Sequence, residues 1–165
     1  MKRTPMNAAF IIAGVAILVL LPALVNAQSN FYMVATDFII GLEGFVDHPY
    51  WDYKQYSWGY GTKAPGPDGT ITREQARKDL EARLQGDYDY LSQLIHVPLS
   101  ANQWAALLSF SYNLGTGNAD NLTDNINAED NQALGEQWAK YEYAGGVVND
   151  DLRERRAKEW RLWNS

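Results

Sequence analysis

The feature that most constrains this chain is the uncharged, mostly apolar run from Ala8 to Ala27, which follows the basic residues Lys2 and Arg3. At ~1.5 Å per residue, a helix of that length spans the ~30 Å hydrocarbon layer of a membrane. The basic flank favours a cytoplasmic N-terminus, so everything after Ala27 is expected on the other side of the membrane. The sequence therefore predicts two parts, an N-terminal membrane-inserting segment at 1–27 and a folded domain at 28–165.

A cleaved signal peptide is the main alternative for this segment, because Val25-Asn26-Ala27 has the small-x-small shape of a cleavage site. The apolar run is longer than the ~7–15 residues of a usual signal-peptide core. It is also rich in alanine and contains Gly14 and Pro22, which weakens it as a membrane helix. Reversible insertion, cleavage and permanent anchoring therefore all remain open.

Composition excludes several classes of function for the remainder of the chain. The absence of cysteine excludes disulfides, thiolate metal sites and a cysteine nucleophile. Without Lys2 and Arg3, 12 basic residues face 20 acidic ones, so nucleic acid is not an expected partner. His48 and His96 belong to no zinc motif, and no Gly-x-Ser-x-Gly elbow occurs. We expect a monomeric protein without a metal or another cofactor.

The pattern of apolar and turn-forming residues predicts an α+β domain. A helix is expected over Phe31 to Leu42, and short strands are expected within the aromatic, glycine-containing stretch from His48 to Thr62. Turns with at most one short helix are expected over Thr116 to Asn131, followed by a helix over Gln132 to Tyr143. Capping boxes predict three more helices, at Thr72 with Gln75, Ser100 with Gln103, and Asp151 with Glu154.

Two acidic residues, Glu43 and Asp52, flank a predicted turn. Glycoside cleavage requires a pair of carboxyl groups of this kind. One carboxyl must donate a proton to the leaving oxygen, while the other stays ionised to organise water or stabilise the cationic sugar. Apolar neighbours such as Phe38 and Phe45 favour the protonated form at Glu43, and the turn favours the ionised form at Asp52. The alternative is that Glu43 is a surface carboxylate at a helix end and Asp52 an ordinary turn residue.

Three ordered blocks of sequence resemble the phage-type lysozymes of glycoside hydrolase family 24. The first joins Glu43-Gly44, a Tyr-x-Asp turn and Ser57-Trp58-Gly59-Tyr60-Gly61. The second runs from Gln103 to Gly117, and the third combines Ala144-Gly145-Gly146 with Arg155 to Glu159. The resemblance implies a lysozyme-like fold, in which a small β lobe and a larger, mostly helical lobe enclose a cleft.

The resemblance also implies roles for individual residues. Glu43 corresponds to the general acid, Asp52 to the catalytic aspartate and Ser57 to a threonine that helps hold the attacking water, with inversion at the anomeric carbon. The positions expected to contact substrate are Tyr60, Thr62, Tyr112 and Asn113. Two departures concern the site, because the interval from Asp52 to Ser57 is one residue shorter than is common and Thr62 stands where many members have histidine.

A resemblance of this kind implies an endolysin that causes host lysis by hydrolysing the β-1,4 bond between N-acetylmuramic acid and N-acetylglucosamine in peptidoglycan. The alternatives are chitinase-like or transglycosylase chemistry, and a membrane-tethered, non-catalytic wall-binding module. Residues 8–27 resemble a signal-arrest-release element. The expected partners are therefore glycan strands and the inner membrane, with the protein at the periplasmic face of the host inner membrane before release and in the periplasm afterwards.

Arg155 and Arg156 are expected either to hold peptide carboxylates or to pair with acids of the fold.

Overall fold

The computed structural model describes residues 31–165, so the predicted membrane-inserting segment lies outside the described residues. Within 31–165, every helix is too short or too polar to cross a membrane. Helix α1 covers residues 31–40 and ends just before Glu43, close to the predicted boundary at Leu42.

A small antiparallel sheet follows α1, as the aromatic and glycine-containing stretch predicts. Its strands are β1 (Val46–Asp52), β2 (Gln55–Gly59) and β3 (Thr62–Lys63), in the spatial order β1-β2-β3. Tyr50 pairs with Ser57 and Asp52 pairs with Gln55. Because side chains alternate across a strand, these four residues share one face of the sheet.

The helical lobe forms the larger part of the domain and is built around one central helix. That helix, α3, is buried along most of its length from Ala105 to Ser111 and packs closely against the last helix, α7. The helices are α2 (Arg73–Leu91), α3 (Ala101–Leu114), α4 (Thr116–Asp120), α5 (Thr123–Asn127), α6 (Asn131–Ala139) and α7 (Asp150–Trp163). A 3₁₀ turn (Lys140–Glu142) and a hairpin of β4 (Tyr143–Ala144) and β5 (Val147–Val148) precede α7.

Two predictions about the secondary structure of this lobe are wrong. The segment between α3 and α6 holds two short helices instead of at most one. The helix expected to reach Tyr143 ends at Ala139, because the chain tightens into the 3₁₀ turn and then extends into β4.

Only one of the three predicted capping boxes is complete. Ser100 and Gln103 exchange both hydrogen bonds at the start of α3. At α2, Thr72 accepts from the Gln75 backbone N–H, but the Gln75 side chain bonds Asp79 instead of returning to the cap. The third prediction is wrong because Asn149, not Asp151, caps α7, with its side chain accepting from the Leu152 backbone N–H.

Candidate active site

Glu43 lies where the two lobes meet, and an arginine of the last helix holds its side chain. The backbone N–H of Glu43 donates to the Ile39 carbonyl at 2.8 Å, which fixes the residue at the end of α1. Arg155 Nη1 donates to Glu43 Oε1 at 2.6 Å, and the Glu43 side chain is 26% exposed. The expected apolar surroundings are therefore incomplete, because a charged guanidinium is the nearest polar partner of the carboxyl group.

Arg155 is itself held by a buried acid. Its Nε lies 3.3 Å from Glu159 Oε1, and Glu159 is fully buried beneath α3. The same carboxylate accepts from Ser109 Oγ at 2.8 Å and from Trp138 Nε1 at 3.3 Å, and it forms an ion pair with Arg156. A charged group in the interior must be paired and hydrogen-bonded, so these contacts form one connected network. Glu159 consequently holds in place the Arg155 guanidinium that contacts Glu43.

The pKa of Glu159 reflects the burial of this network. Desolvation raises the pKa of this carboxyl group, while Arg156, Ser109, Arg155 and Trp138 oppose the rise by favouring the ionised form. Arg156 additionally donates from Nη2 to Asn113 Oδ1 at 2.9 Å. Both Arg155 and Arg156 therefore pair with acids of the fold, the second of the two roles that the sequence left open.

Asp52 occupies a very different position, at the exposed end of β1. It faces Gln55 across a tight hairpin, in which the Lys54 backbone N–H donates to the Asp52 carbonyl and Tyr53 has a positive φ of 48°. Among residues 31–165, no cation lies within ion-pair distance of the Asp52 carboxylate. The backbone of the hairpin, and not an ion pair, positions this side chain.

Tyr50 shares a face of the sheet with Asp52, although sequence reasoning assigned it no role. Burial raises the pKa of the Tyr50 hydroxyl, and the negative charges of Asp52 and Glu43 raise it further. The influence of both acids indicates that this hydroxyl lies within electrostatic range of each. The Tyr-x-Asp spacing could have identified it, since residues two apart on a strand share a face.

Ser57 lies on the same face of the sheet as Asp52 but is fully buried. Gln55 Nε2 donates to Ser57 Oγ at 3.3 Å, so the hydroxyl lies beneath the Gln55 side chain. The hydroxyl keeps its own proton free to donate. The structure thus brings Asp52 and Ser57 to one face of the β lobe, with Gln55 covering the serine.

Tyr112 joins the helical lobe to the β lobe. Its hydroxyl donates to the Tyr60 carbonyl at 2.8 Å, and burial raises its pKa, with a smaller contribution from the charge of Glu43. Tyr60 is only 5% exposed, and its ring packs against the ring of Phe45 with 5.5 Å between the two centroids. The expectation that this ring contacts substrate is therefore corrected, since it belongs to the core and offers its carbonyl to Tyr112. Thr62 is also buried, within β3.

Asn113 follows Tyr112 on α3 and is exposed. It lines a recess of about 400 Å³ together with Leu42, Arg155 and Lys158, whereas Tyr112 lines a separate recess of about 560 Å³ beside the sheet. The end of α3 thus contributes one residue to each of two recesses.

Solved structures define the class to which this arrangement belongs. The muramidase domain of SpmX from Asticaccaulis excentricus superposes with a TM-score of 0.73 at 24% sequence identity, covering 79% of this chain and 95% of that domain. The fold is therefore the lysozyme-like α+β fold, with a mostly helical body and a small sheet.

Sequence comparison establishes the family. The family described as Phage lysozyme matches residues 41–159, and this chain belongs to it. It is 32% identical over 116 residues to an endolysin of Bacillus phage PZA, covering 68% of this chain and 45% of that protein. It is 31% identical over 104 residues to the SAR-endolysin of Escherichia phage Mu, covering 60% of this chain and 61% of that protein. The chain spans less than half the length of the Bacillus phage endolysin.

Proposed function

We propose that this protein is a lysozyme that hydrolyses the β-1,4 bond between N-acetylmuramic acid and N-acetylglucosamine in peptidoglycan. The observation that carries the proposal is the 2.6 Å contact from Arg155 to Glu43 Oε1, which fixes a carboxyl group where the two lobes meet. Membership of the phage lysozyme family and the endolysin relatives support the same activity.

Glu43 is the proposed general acid. Arg155 occupies Oε1, and among residues 31–165 the other oxygen, Oε2, has no hydrogen-bond partner. Oε2 is therefore the oxygen that is available to carry a proton to the leaving glycosidic oxygen. Proton donation by a positioned acid contributes about 10²–10⁴-fold to such reactions, provided that the donor is within hydrogen-bond reach.

Asp52 is the proposed second carboxylate, and Ser57 assists it. Because Asp52 is exposed and bears no ion pair within the described residues, its charge is available to the substrate. It can activate a water molecule or stabilise positive charge on the sugar. Ser57 lies on the same face of the sheet but is buried, so it would act on that water through Gln55, whose Nε2 donates to its hydroxyl. Tyr112 and Asn113 would contact the sugars.

The test of this activity is digestion of purified sacculi by the purified chain, with the new chain ends identified by mass spectrometry. The proposal predicts loss of turbidity and new reducing ends at N-acetylmuramic acid. Anhydro-sugar ends would show transglycosylase chemistry instead, and reducing N-acetylglucosamine ends would show that the other bond is cut. Binding to sacculi without soluble products would establish a non-catalytic wall-binding module.

Residues 8–27 are proposed to tether the protein to the periplasmic face of the host inner membrane until it is released to act in the periplasm and lyse the cell. The uncharged run itself and the similarity to the SAR-endolysin of phage Mu support this proposal. Collapse of the membrane potential with an uncoupler should then cause early lysis. A new N-terminus at Gln28 before any lysis would instead identify a cleaved signal peptide.

A further inference from the structure

A cluster of aromatic rings lies at the end of the helical lobe where α1 begins. The ring centroid of Phe31 is 4.3 Å from that of Tyr32, 4.8 Å from that of Tyr88 and 6.0 Å from that of Trp104. Tyr88 lies near the end of α2 and Trp104 near the start of α3, so three helix ends meet at these rings. We call this surface the aromatic end, and its rings belong to Phe31, Tyr32, Tyr88 and Trp104.

The aromatic end is incompletely covered by the rest of the domain. Three of its residues are half-buried, namely Tyr32, Tyr88 and Trp104. Met33, in the first turn of α1, is 56% exposed. One turn later the exposed position is Asp37, whose carboxylate accepts from Arg77 Nη1 at 2.8 Å. The exposed side of α1 therefore changes from apolar to charged within one turn, so an apolar contact can involve only the beginning of this helix.

The aromatic end is close in sequence to the proposed membrane tether. Only three residues, 28–30, separate Ala27, the last residue of the uncharged run, from Phe31. Four residue steps reach at most about 14 Å even when the chain is fully extended. While residues 8–27 are inserted, Phe31 therefore lies within about 14 Å of the point where Ala27 leaves the membrane. Chain connectivity thus brings the aromatic end to the lipid surface.

The residue types at the aromatic end suit the headgroup layer of a neutral membrane. Tyrosine and tryptophan concentrate at membrane–water interfaces, because their rings are apolar and their tips form hydrogen bonds. The stretches 31–42 and 84–104, which contain the four rings, include three aspartates and one histidine but no lysine or arginine. Anionic lipids attract basic clusters, so they have no partner in these stretches. The composition therefore favours a zwitterionic lipid surface, bound through the rings and not through charge.

We propose that the aromatic end lies in the zwitterionic headgroup layer of the inner membrane while residues 8–27 are inserted, and that it holds the catalytic domain in one orientation. The domain then stands on the membrane by this end. Glu43 follows the opposite end of α1, about 15 Å along the helix axis from Phe31. This inference rests on the proposed tethering by residues 8–27, because it assigns to the folded domain a second contact with the same membrane.

The test measures lipid contact at single labelled positions of the full-length chain, reconstituted into phosphatidylcholine vesicles. The chain contains no cysteine, so Asp89→Cys and Glu74→Cys can each carry one fluorophore. Both are exposed acids of α2, about 22 Å apart along its axis. Asp89 follows Tyr88 and lies beside Tyr32, because burial raises the pKa of the Tyr32 hydroxyl and the charge of Asp89 raises it further.

Brominated phosphatidylcholine should quench the probe at position 89 at least about threefold more than the probe at position 74, since only the first lies at the aromatic end. The difference should persist at about 0.5 M salt, where interactions between exposed charges are screened. A third probe at Met33→Cys, next to the tether in sequence, should be quenched as strongly as the probe at position 89.

The outcomes separate this proposal from the proposed tethering. Equal quenching at positions 89 and 74 would overturn the contact of the aromatic end while leaving the tether standing. Quenching at position 33 without quenching at position 89 would also overturn it, because only the start of α1 would then be near the lipid. Loss of the difference at high salt would show that charge holds the domain instead of the rings. A full-length chain that does not sediment with the vesicles would overturn the tether itself.

Discussion

The two proposed catalytic carboxylates are held in opposite ways. Glu43 is fixed by side chains, through Arg155 and then the buried Glu159, so its position depends on α7 and on the packing of the helical lobe. Asp52 is exposed and is placed by the register of a two-stranded hairpin, where it faces Gln55.

This difference suggests a division of labour between the lobes. The helical lobe supplies rigidity, because its central helix is buried and its charges are cross-linked by hydrogen bonds. The β lobe consists of one small sheet. At its hairpin tip Trp51 and Tyr53 are exposed, and the exposed fraction of Tyr53 is 84%. We expect the helical lobe to hold the acid at a fixed position while the hairpin brings the second carboxylate to the substrate.

In the β lobe, the substitution expected to lower activity most is Asp52→Ala. It should lower the rate of sacculus clearing by about 10³-fold, because the second carboxylate takes part in the reaction. Ser57→Ala should cost less, since the serine is buried beneath Gln55 and acts only on the position of water. Turbidity assays on both variants give the ranking. A larger loss for Ser57→Ala would place the water elsewhere.

On the helical side, Glu159→Gln should reduce the free energy of unfolding by about 3–5 kcal/mol, because it leaves the buried Arg156 guanidinium without a counter-charge and leaves Arg155 paired with Glu43 alone. Denaturant unfolding measures the change. The matched control is Glu154→Gln on the same helix, an exposed residue paired only with Lys158, which should change stability by less than about 1 kcal/mol. Equal effects for the two variants would mean that the network contributes no more than a surface ion pair.

The contrast also explains how much could be predicted from sequence. Local patterns predicted the strands around Asp52 and the capping box of Ser100, because each depends on residues close together in the chain. The contact of Arg155 with Glu43 joins residues 112 positions apart, and no periodic pattern records it. Tyr60 was misassigned for the same reason, since its burial depends on Phe45 and the core behind it.

Arg155→Gln should separate positioning from folding more directly. Loss of the guanidinium frees the Glu43 side chain, and kcat should fall by about 10–100-fold with KM nearly unchanged, because misplacement of a catalytic group by about 1 Å costs rate more than binding. Arg155→Lys should restore part of kcat, since it retains the charge without the two-pronged geometry. If Arg155→Gln instead raises KM alone, Arg155 contacts substrate rather than positioning the acid.

A smaller effect is expected from Asp87, which is buried between α2 and α3. Burial raises its pKa above the ordinary value of 3.8, while Arg83 and Ser111 oppose the rise. A raised folded-state pKa means that this carboxyl group contributes stability at pH values below its unfolded pKa and loses that contribution as pH rises through the folded pKa.

The Asp87→Asn variant should therefore gain stability relative to wild type as pH rises from about 4 to 7, because the amide has no proton to lose and can still accept the Ser111 hydrogen bond. Thermal or denaturant unfolding across that range measures it. Asp89→Asn, an exposed position on the same helix, is the control and should show no such trend. A difference that does not vary with pH would show that burial of Asp87 is balanced by its partners.

The most direct test of the central claim, that Glu43 held by Arg155 is the general acid, is the rate at which Glu43→Gln releases reducing ends from purified sacculi. The amide preserves the size of the side chain and can still face Arg155, but it cannot donate a proton to the leaving oxygen. The variant should fold with the thermal stability of wild type to within a few degrees and lose about 10³-fold or more in rate. Activity within tenfold of wild type in a folded variant would contradict the assignment.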